Sequence, residues 1–427
     1  MALTQTLMNG GNDTLKKGKV ANHLLFRGMK VTSAFQPIVS LTHQRTVGYE
    51  ALVRANSSGT PVAPPHLFEM ARNLGGIDRL DRGVAQLHLN QFARSQPPVW
   101  LFLNLHPASI SAGPEALPAE LSAQMHHLGI HPQQVVLEVI EETLADATVL
   151  DNFIVKAKDM GFRIAIDDFG VGDSNFERVW RLSPHIVKFD RALLLNAEKN
   201  RRARQLFRSL VAMIRESGSL AVVEGVETAA QAEIALETDA DMFQGFFFGR
   251  PNTLQDHHPK LDPELAHFVH GHRQASWLQS QTHGDFLRLL RFEILAACHK
   301  LARKEPMREI CQDLVALQGV KRCFLLDAKG IQQGEIVSSE HRTGHSPFFN
   351  PLYQSSGACW AHRDYFRNAM DNPSQINISR PYVALPDAER TITLSVFTYT
   401  SQGNMVLCVD IHPDELFDGR FDLPHSL

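Results

Sequence analysis

FRIAIDD, residues 162–168, is a short β-rich run that ends in two carboxylates. Side chains alternate across a strand, so Asp167 shares a face with Ala165 and an apolar column ends in an acid. The same construction recurs outward along the chain in TVGYEAL (46–52), VWLFLNL (99–105), VVLEV (135–139), HIVKF (185–189), LAVVEG (220–225) and DMFQGF (241–246). Their terminal polar residues are Glu50, Asn104, Glu138, Lys188, Glu224 and Gln244, and a buried strand otherwise avoids such groups. Asn104 shares its face with Phe102, and Glu224 with Val222. Between the runs lie helical stretches such as Ala145 to Met160 and Arg201 to Ser217, whose apolar residues recur at three- and four-residue spacing. Strands alternating with helices predict an α/β fold, a β/α (TIM-like) barrel of parallel strands over residues 23–260 behind an N-terminal tail, 1–22. Such barrels carry their active sites at the carboxyl ends of the strands, where these polar residues fall.

With 427 residues, a second domain is expected. Hydrophobic residues at 44% and charged residues at 21% suit a folded chain. A net charge of −4 argues against broad binding to DNA or RNA, but a small anion held by metal is compatible. The N-terminus lacks the long apolar core of a signal peptide, and no run is long enough to span a membrane, so a cytoplasmic protein is expected. The five cysteines (Cys298, Cys311, Cys323, Cys359, Cys408) form no CxxC pair and suit reduced thiols.

Glu50, Asn104, Glu138, Asp167, Asp168 and Glu224 offer oxygen ligands with no His/Cys framework nearby, which selects Mg²⁺ or Mn²⁺ over zinc. Carboxylates converging on one mouth repel each other unless cations or protons neutralise them. Asp167 and Asp168 together suit two ions, and two ions can activate water and stabilise an in-line displacement at phosphorus. Lys188 adds a positive charge. An isolated Asp pair is more often a helix cap or a turn, and the metal reading rests on the set of six.

These residues sit in a series of motifs: FQPIV (35–39), YEALVR (49–54), FLNL (102–105), LEVIE (137–141), IAIDDFGVGDS (164–174), VKFDR (187–191), VVEGVET (222–228) and FQGFFFGRP (243–251). Together, in this order, they resemble the EAL-domain cyclic di-GMP phosphodiesterases over the whole barrel. The resemblance implies hydrolysis of cyclic di-GMP to linear pGpG, and a homodimer. It implies Glu50, Asn104, Glu138 and Asp167 as ligands of a first metal, with Asp167 and Asp168 serving a second. Lys188 and Glu224 are implied to orient or activate water, Glu141 to hold the loop after DDFG, and Gln36, Arg54, Gln244 and Pro251 to meet substrate. Glu227 is implied as structural. The chain departs from the family pattern at Val171 and Asp173, at Ala55, and in HPASI after Asn104.

Beyond the barrel, residues 261–305 are expected as a linker with a connecting helix from Asp285 to Lys304, and residues 306–427 as a smaller α+β domain. RTITLSVFTYT and NMVLCVDI are expected as neighbouring antiparallel strands. RDYF (363–366), ISRPY (378–382), TLSVF (393–397) and VLCVDI (406–411) resemble Cache or PAS-like sensor domains. That resemblance implies a pocket for a small-molecule ligand lined by Arg363, Tyr365, Tyr382 and Asp410; an ordinary core tyrosine pair and a strand-end acid fit the same residues. Two further readings fit the barrel: one that binds cyclic di-GMP without cutting it, and a partner-recruiting regulator.

Overall fold

In the first unit, Met1–His272, eight strands close on themselves. They are β1 (Met29–Ser40), β2 (Arg45–Ser57), β3 (Trp100–Asn104), β4 (Val135–Val139), β5 (Arg163–Phe169), β6 (Ile186–Phe189), β7 (Leu220–Val223) and β8 (Met242–Gln244). The computed structural model describes residues 23–95, 97–139, 147–170, 176–254, 262–339, 355–373, 375–384, 390–400 and 403–413. Neighbours from β2 round to β8 run parallel, whereas β1 runs antiparallel to both β2 and β8 and closes the ring. The expected barrel is there, but mixed rather than all-parallel. The reason is local: the turn at residues 41–44 is too short for a crossover, so β1 and β2 must form a hairpin.

Side-chain alternation fills the barrel in layers. Ile38, Phe102, Val136, Ala165, Ile186, Val222 and Met242 form a buried apolar layer, one residue from each of seven strands. The eighth position is Gly48, where a Cβ would lie 2.7 Å from Phe102 Cε2. The Phe102 ring therefore occupies the space that a side chain from β2 would take. Outward-facing residues such as Leu101, Leu103, Leu137 and Ile164, or Val187, Phe189 and Val223, pack under the helices. The helix Arg201–Glu216 shows why they fold that way. Asn200 caps it, Oδ1 accepting from Arg202 N at 2.8 Å, and Phe207, Val211 and Ile214 turn to the barrel at helical spacing.

The second unit, Arg273–Leu427, holds a sheet built on β9 (Val320–Asp327), β10 (Gln332–Ser338), β11 (Arg390–Thr400) and β12 (Gly403–Ile411). Its order is β10-β9-β12-β11, followed by Asn377–Ile378, and β11 and β12 are the expected antiparallel neighbours. A helix runs from Pro263 to Ala302, longer than the sequence pattern suggested. Pro263 suits its first position, and Asp262 Oδ1 accepts from Glu264 N at 2.9 Å. Within the second unit its Leu290, Ile294 and Ala297 pack against sheet residues such as Leu394 and Leu407. All five cysteines are free thiols. Among the described residues, no helix is long and apolar enough to cross a membrane.

Phe102 is fully buried and fills two positions of the interior layer. Phe102→Ala is therefore expected to destabilise the fold by about 3–5 kcal/mol, measured by denaturant unfolding.

Candidate active site

Two residues above the apolar layer, each strand contributes one polar side chain to a second layer: Gln36, Glu50, Asn104, Glu138, Asp167, Lys188, Glu224 and Gln244. Glu224 comes from just past the end of β7. The inward column of every strand switches from apolar to polar at the same height, and register maintains it. Gln36 lies opposite Glu50, and Asn104 beside Glu138.

Lys188 is the hub. It is 1% exposed, and its Nζ lies 2.6 Å from Glu138 Oε1, 2.7 Å from Glu224 Oε1, 3.3 Å from Asp167 Oδ1 and 3.4 Å from Glu50 Oε2. Burial works against its charge, yet the surrounding carboxylates win and hold its pKa well above the ordinary value. Glu50 also accepts from Asn104 Nδ2 at 2.7 Å and from Gln244 Nε2 at 2.6 Å. Burial pushes its pKa up, but Lys188 and these two amides outweigh that and keep it low. Gln244 is 3.4 Å from Gln36 Oε1, and Gln36 donates to the Gly249 carbonyl at 3.3 Å.

Asp168 enters the cluster through an irregularity. Regular alternation would send it to the outer face, away from Asp167. The register of β5 against β6 slips between Ile166 and Phe169, and Asp168 takes a left-handed conformation with φ 54°. Carboxylate oxygens of Asp167, Asp168 and Glu224 consequently lie within 4.8 Å of one another. Left-handed backbone is costly for most side chains and is tolerated by Asp, so the strain falls where both acids are wanted.

One lysine does not neutralise so many acids. Burial, only partly offset by Lys188, raises Glu138 well above its ordinary pKa and Glu224 to about 8. Burial and the neighbouring Asp167 raise Asp168 to about 6. Apart from Lys188, both Glu138 oxygens, Asp167 Oδ1 and Gln244 Oε1 meet no hydrogen-bond donor among the described residues. Buried, unpartnered, acidic oxygens short of positive charge fit divalent cations of the hard, oxygen-preferring kind.

The remaining expected residues are placed less centrally. Arg54 follows Glu50 by four residues on the same face of β2, exposed, with Nη1 donating to the Val53 carbonyl at 2.9 Å. Pro251 is half-buried, and Asn252 beside it pairs with Phe35, so this run lies along the strand that carries Gln36. Glu227 pairs with Arg191 at 2.6 Å, away from the hub. Glu141, Val171 and Asp173 lie outside the described residues. In the second unit, the Tyr365 and Tyr382 rings stack at 5.9 Å, and the Arg363 guanidinium lies 5.4 Å from the Tyr382 ring. Asp410 is buried beneath them and its oxygens are engaged, one by Thr393 at 2.6 Å and the other by Arg322 Nη2 at 2.9 Å. Sequence reasoning overlooked Asp81, a buried acid bonded to the segment after Asn104. Its signal was present, a carboxylate on the apolar face of a helix between Leu80 and Val84.

Fold and site together define a mixed TIM-like barrel with an acid-lined mouth. The EAL domain family profile matches residues 21–251, more than half of the chain, and the chain belongs to that family. The cyclic di-GMP phosphodiesterase RocR of Pseudomonas aeruginosa is 31% identical over 225 residues, covering 51% of this chain and 56% of RocR. The probable cyclic di-GMP phosphodiesterase PdeB of Escherichia coli is 26% identical over 227 residues, covering 52% of this chain and 43% of PdeB. The chain thus spans about half the length of these curated relatives. Among solved structures, the Bacillus subtilis YkuI protein, with an EAL domain and in complex with substrate c-di-GMP and calcium, superposes with a TM-score of 0.73 at 21% identity. That match covers 90% of this chain and 96% of YkuI, and it establishes likeness of fold.

Glu224 keeps its proton up to about pH 8 when folded, against an ordinary value of 4.5. Between those values the folded, metal-free chain binds a proton that the unfolded chain has released, so stability falls as pH rises through the interval. In chelator, the melting temperature is expected to drop between about pH 5 and about pH 8, and Glu224→Gln is expected to flatten that slope.

Proposed function

We propose that this chain is a metal-dependent phosphodiesterase that hydrolyses cyclic di-GMP to linear pGpG. The observation that carries the reading is the ring of acids around Lys188, which leaves buried oxygens without donors at the barrel mouth. Membership of the EAL family and the names of RocR and PdeB point to the same substrate.

In this reading Glu50, Asn104, Glu138 and Asp167 hold one Mg²⁺ or Mn²⁺, and Asp167 and Asp168 hold a second. When bound, the ions supply Lewis acidity and activate water for attack at phosphorus. Lys188 holds the acids together at a fixed spacing and offsets their mutual repulsion. Glu224, 2.7 Å from Lys188 Nζ, sits at the edge of the cluster; with cations bound beside it its carboxyl would be ionised, and in that form it takes the proton of the attacking water. Hydrolysis forms one P–O bond to the water oxygen and breaks the P–O3′ bond; the released 3′ oxygen takes up a proton from solvent, to which Glu224 returns the one it accepted. Arg54, exposed beyond the acids, meets a phosphate of the substrate, and Gln36, Gln244 and Pro251 flank it.

The second unit acts as a sensor-like regulator in a homodimeric, cytoplasmic protein. Its small-molecule ligand rests against Arg363, Tyr365 and Tyr382, with Asp410 connected to Tyr382 through the Thr393 hydroxyl. Support comes from Arg363, whose Nε has no hydrogen-bond partner among the described residues.

The purified chain with Mg²⁺ or Mn²⁺ is expected to convert cyclic di-GMP to pGpG, followed by chromatography of the products. Chelation should stop the reaction, and Glu50→Ala or Glu224→Ala should lower turnover by about 10²-fold or more. Tight binding without product over hours, or unchanged turnover in both variants, overturns the proposal.

A further inference from the structure

Asp81 lies on the helix Ile77–Ser95, outside the barrel, and is 3% exposed. A charged side chain on the buried face of an amphipathic helix is costly unless its oxygens are used. Burial does push the Asp81 carboxyl up, to about 6. The use is visible: Oδ2 accepts the backbone N–H of His106 at 3.0 Å.

His106 stands two residues after Asn104, where β3 leaves the barrel. The exit is held on both sides. Leu105 N donates to the Glu138 carbonyl at 3.2 Å, which ties the chain to β4. His106 is tied outward to Asp81, its ring stacks on Phe68 with centroids 5.8 Å apart and planes at 11°, and its Nδ1 accepts from Ala108 N at 3.0 Å to start the next helix. Just upstream, Asn104 Nδ2 donates to Glu50 Oε1, which orients the amide and leaves Asn104 Oδ1 as its spare oxygen.

We propose that Asp81 is a positioning residue for the metal site: by anchoring the His106 amide it sets the end of β3 so that Asn104 Oδ1 faces the shared cation. This role rests on the metal-dependent reading above and adds to it a residue that touches neither metal nor substrate. Partners hydrogen-bonded to a ligand itself typically govern metal affinity by about 10- to 100-fold, and Asp81, which acts through the backbone two residues beyond Asn104, is placed at the lower end of that range. Asparagine at position 81 keeps an oxygen that can accept the His106 N–H, whereas alanine leaves that amide unpaired.

The test is Mn²⁺ binding to the full chain by calorimetry, without nucleotide, in wild type, Asp81→Asn and Asp81→Ala, below the melting temperature of each. The expected result is a loss of Mn²⁺ affinity on the order of ten-fold in Asp81→Ala and within about three-fold of wild type in Asp81→Asn. Should Asp81→Ala fail to fold, Asp81→Ser replaces it, because its hydroxyl falls short of the His106 amide and the same loss is expected. Wild-type affinity in the folded alanine or serine variant overturns the role, as does equal loss in Asp81→Asn. Absence of Mn²⁺ binding by wild type overturns the metal reading itself, and the two failures are thereby told apart.

Discussion

A buried ammonium among acids is the constraint on which the barrel mouth depends. Lys188 lies within 3.4 Å of carboxylate oxygens from Glu50, Glu138, Asp167 and Glu224, which come from four separate strands or strand ends. Such a cluster is not a device for stability, since taking five ionisable groups out of water costs more than most pairings return. The apolar layer beneath, with Phe102 at its centre, supplies the stability that lets the mouth remain strained and charge-deficient. The strain has a place, the left-handed Asp168, and the deficit has a sign, a shortage of positive charge.

Much of this was legible in the sequence because a barrel strand is short and its inward face is periodic. A polar residue two positions after an inward apolar one, as in Phe102 and Asn104 or Val222 and Glu224, marks both the strand end and the level of the site. What was not legible depended on backbone detail or on contacts distant along the chain. The direction of β1 follows from the turn at residues 41–44; the segment lies inside the expected barrel, 23–260, but was not among the runs read as its strands. Alternation alone predicts Asp168 on the outer face, and only the slip in β5 reverses that. Lys188 reads in isolation as a charge for the phosphate, but its neighbours come from residues 21 to 138 positions away, beyond any local pattern.

The second unit shows the limit from the other side. The strands β11 and β12 were legible from alternation, and the tyrosine pair and Asp410 do lie in one connected region. Arg322, whose sequence context is an ordinary buried strand, turned out to hold the Asp410 carboxylate. A motif can therefore locate a region while leaving open which of its polar groups remains free to meet a ligand.

Diffraction from crystals grown with Mn²⁺, recorded at the manganese edge, tests the central claim most directly, because the anomalous signal reports position independently of turnover. The account expects manganese peaks at the barrel mouth, one against Glu50, Asn104, Glu138 and Asp167 and another beside Asp167 and Asp168. A mouth without manganese at saturating concentration, or manganese bound only elsewhere on the chain, would contradict it.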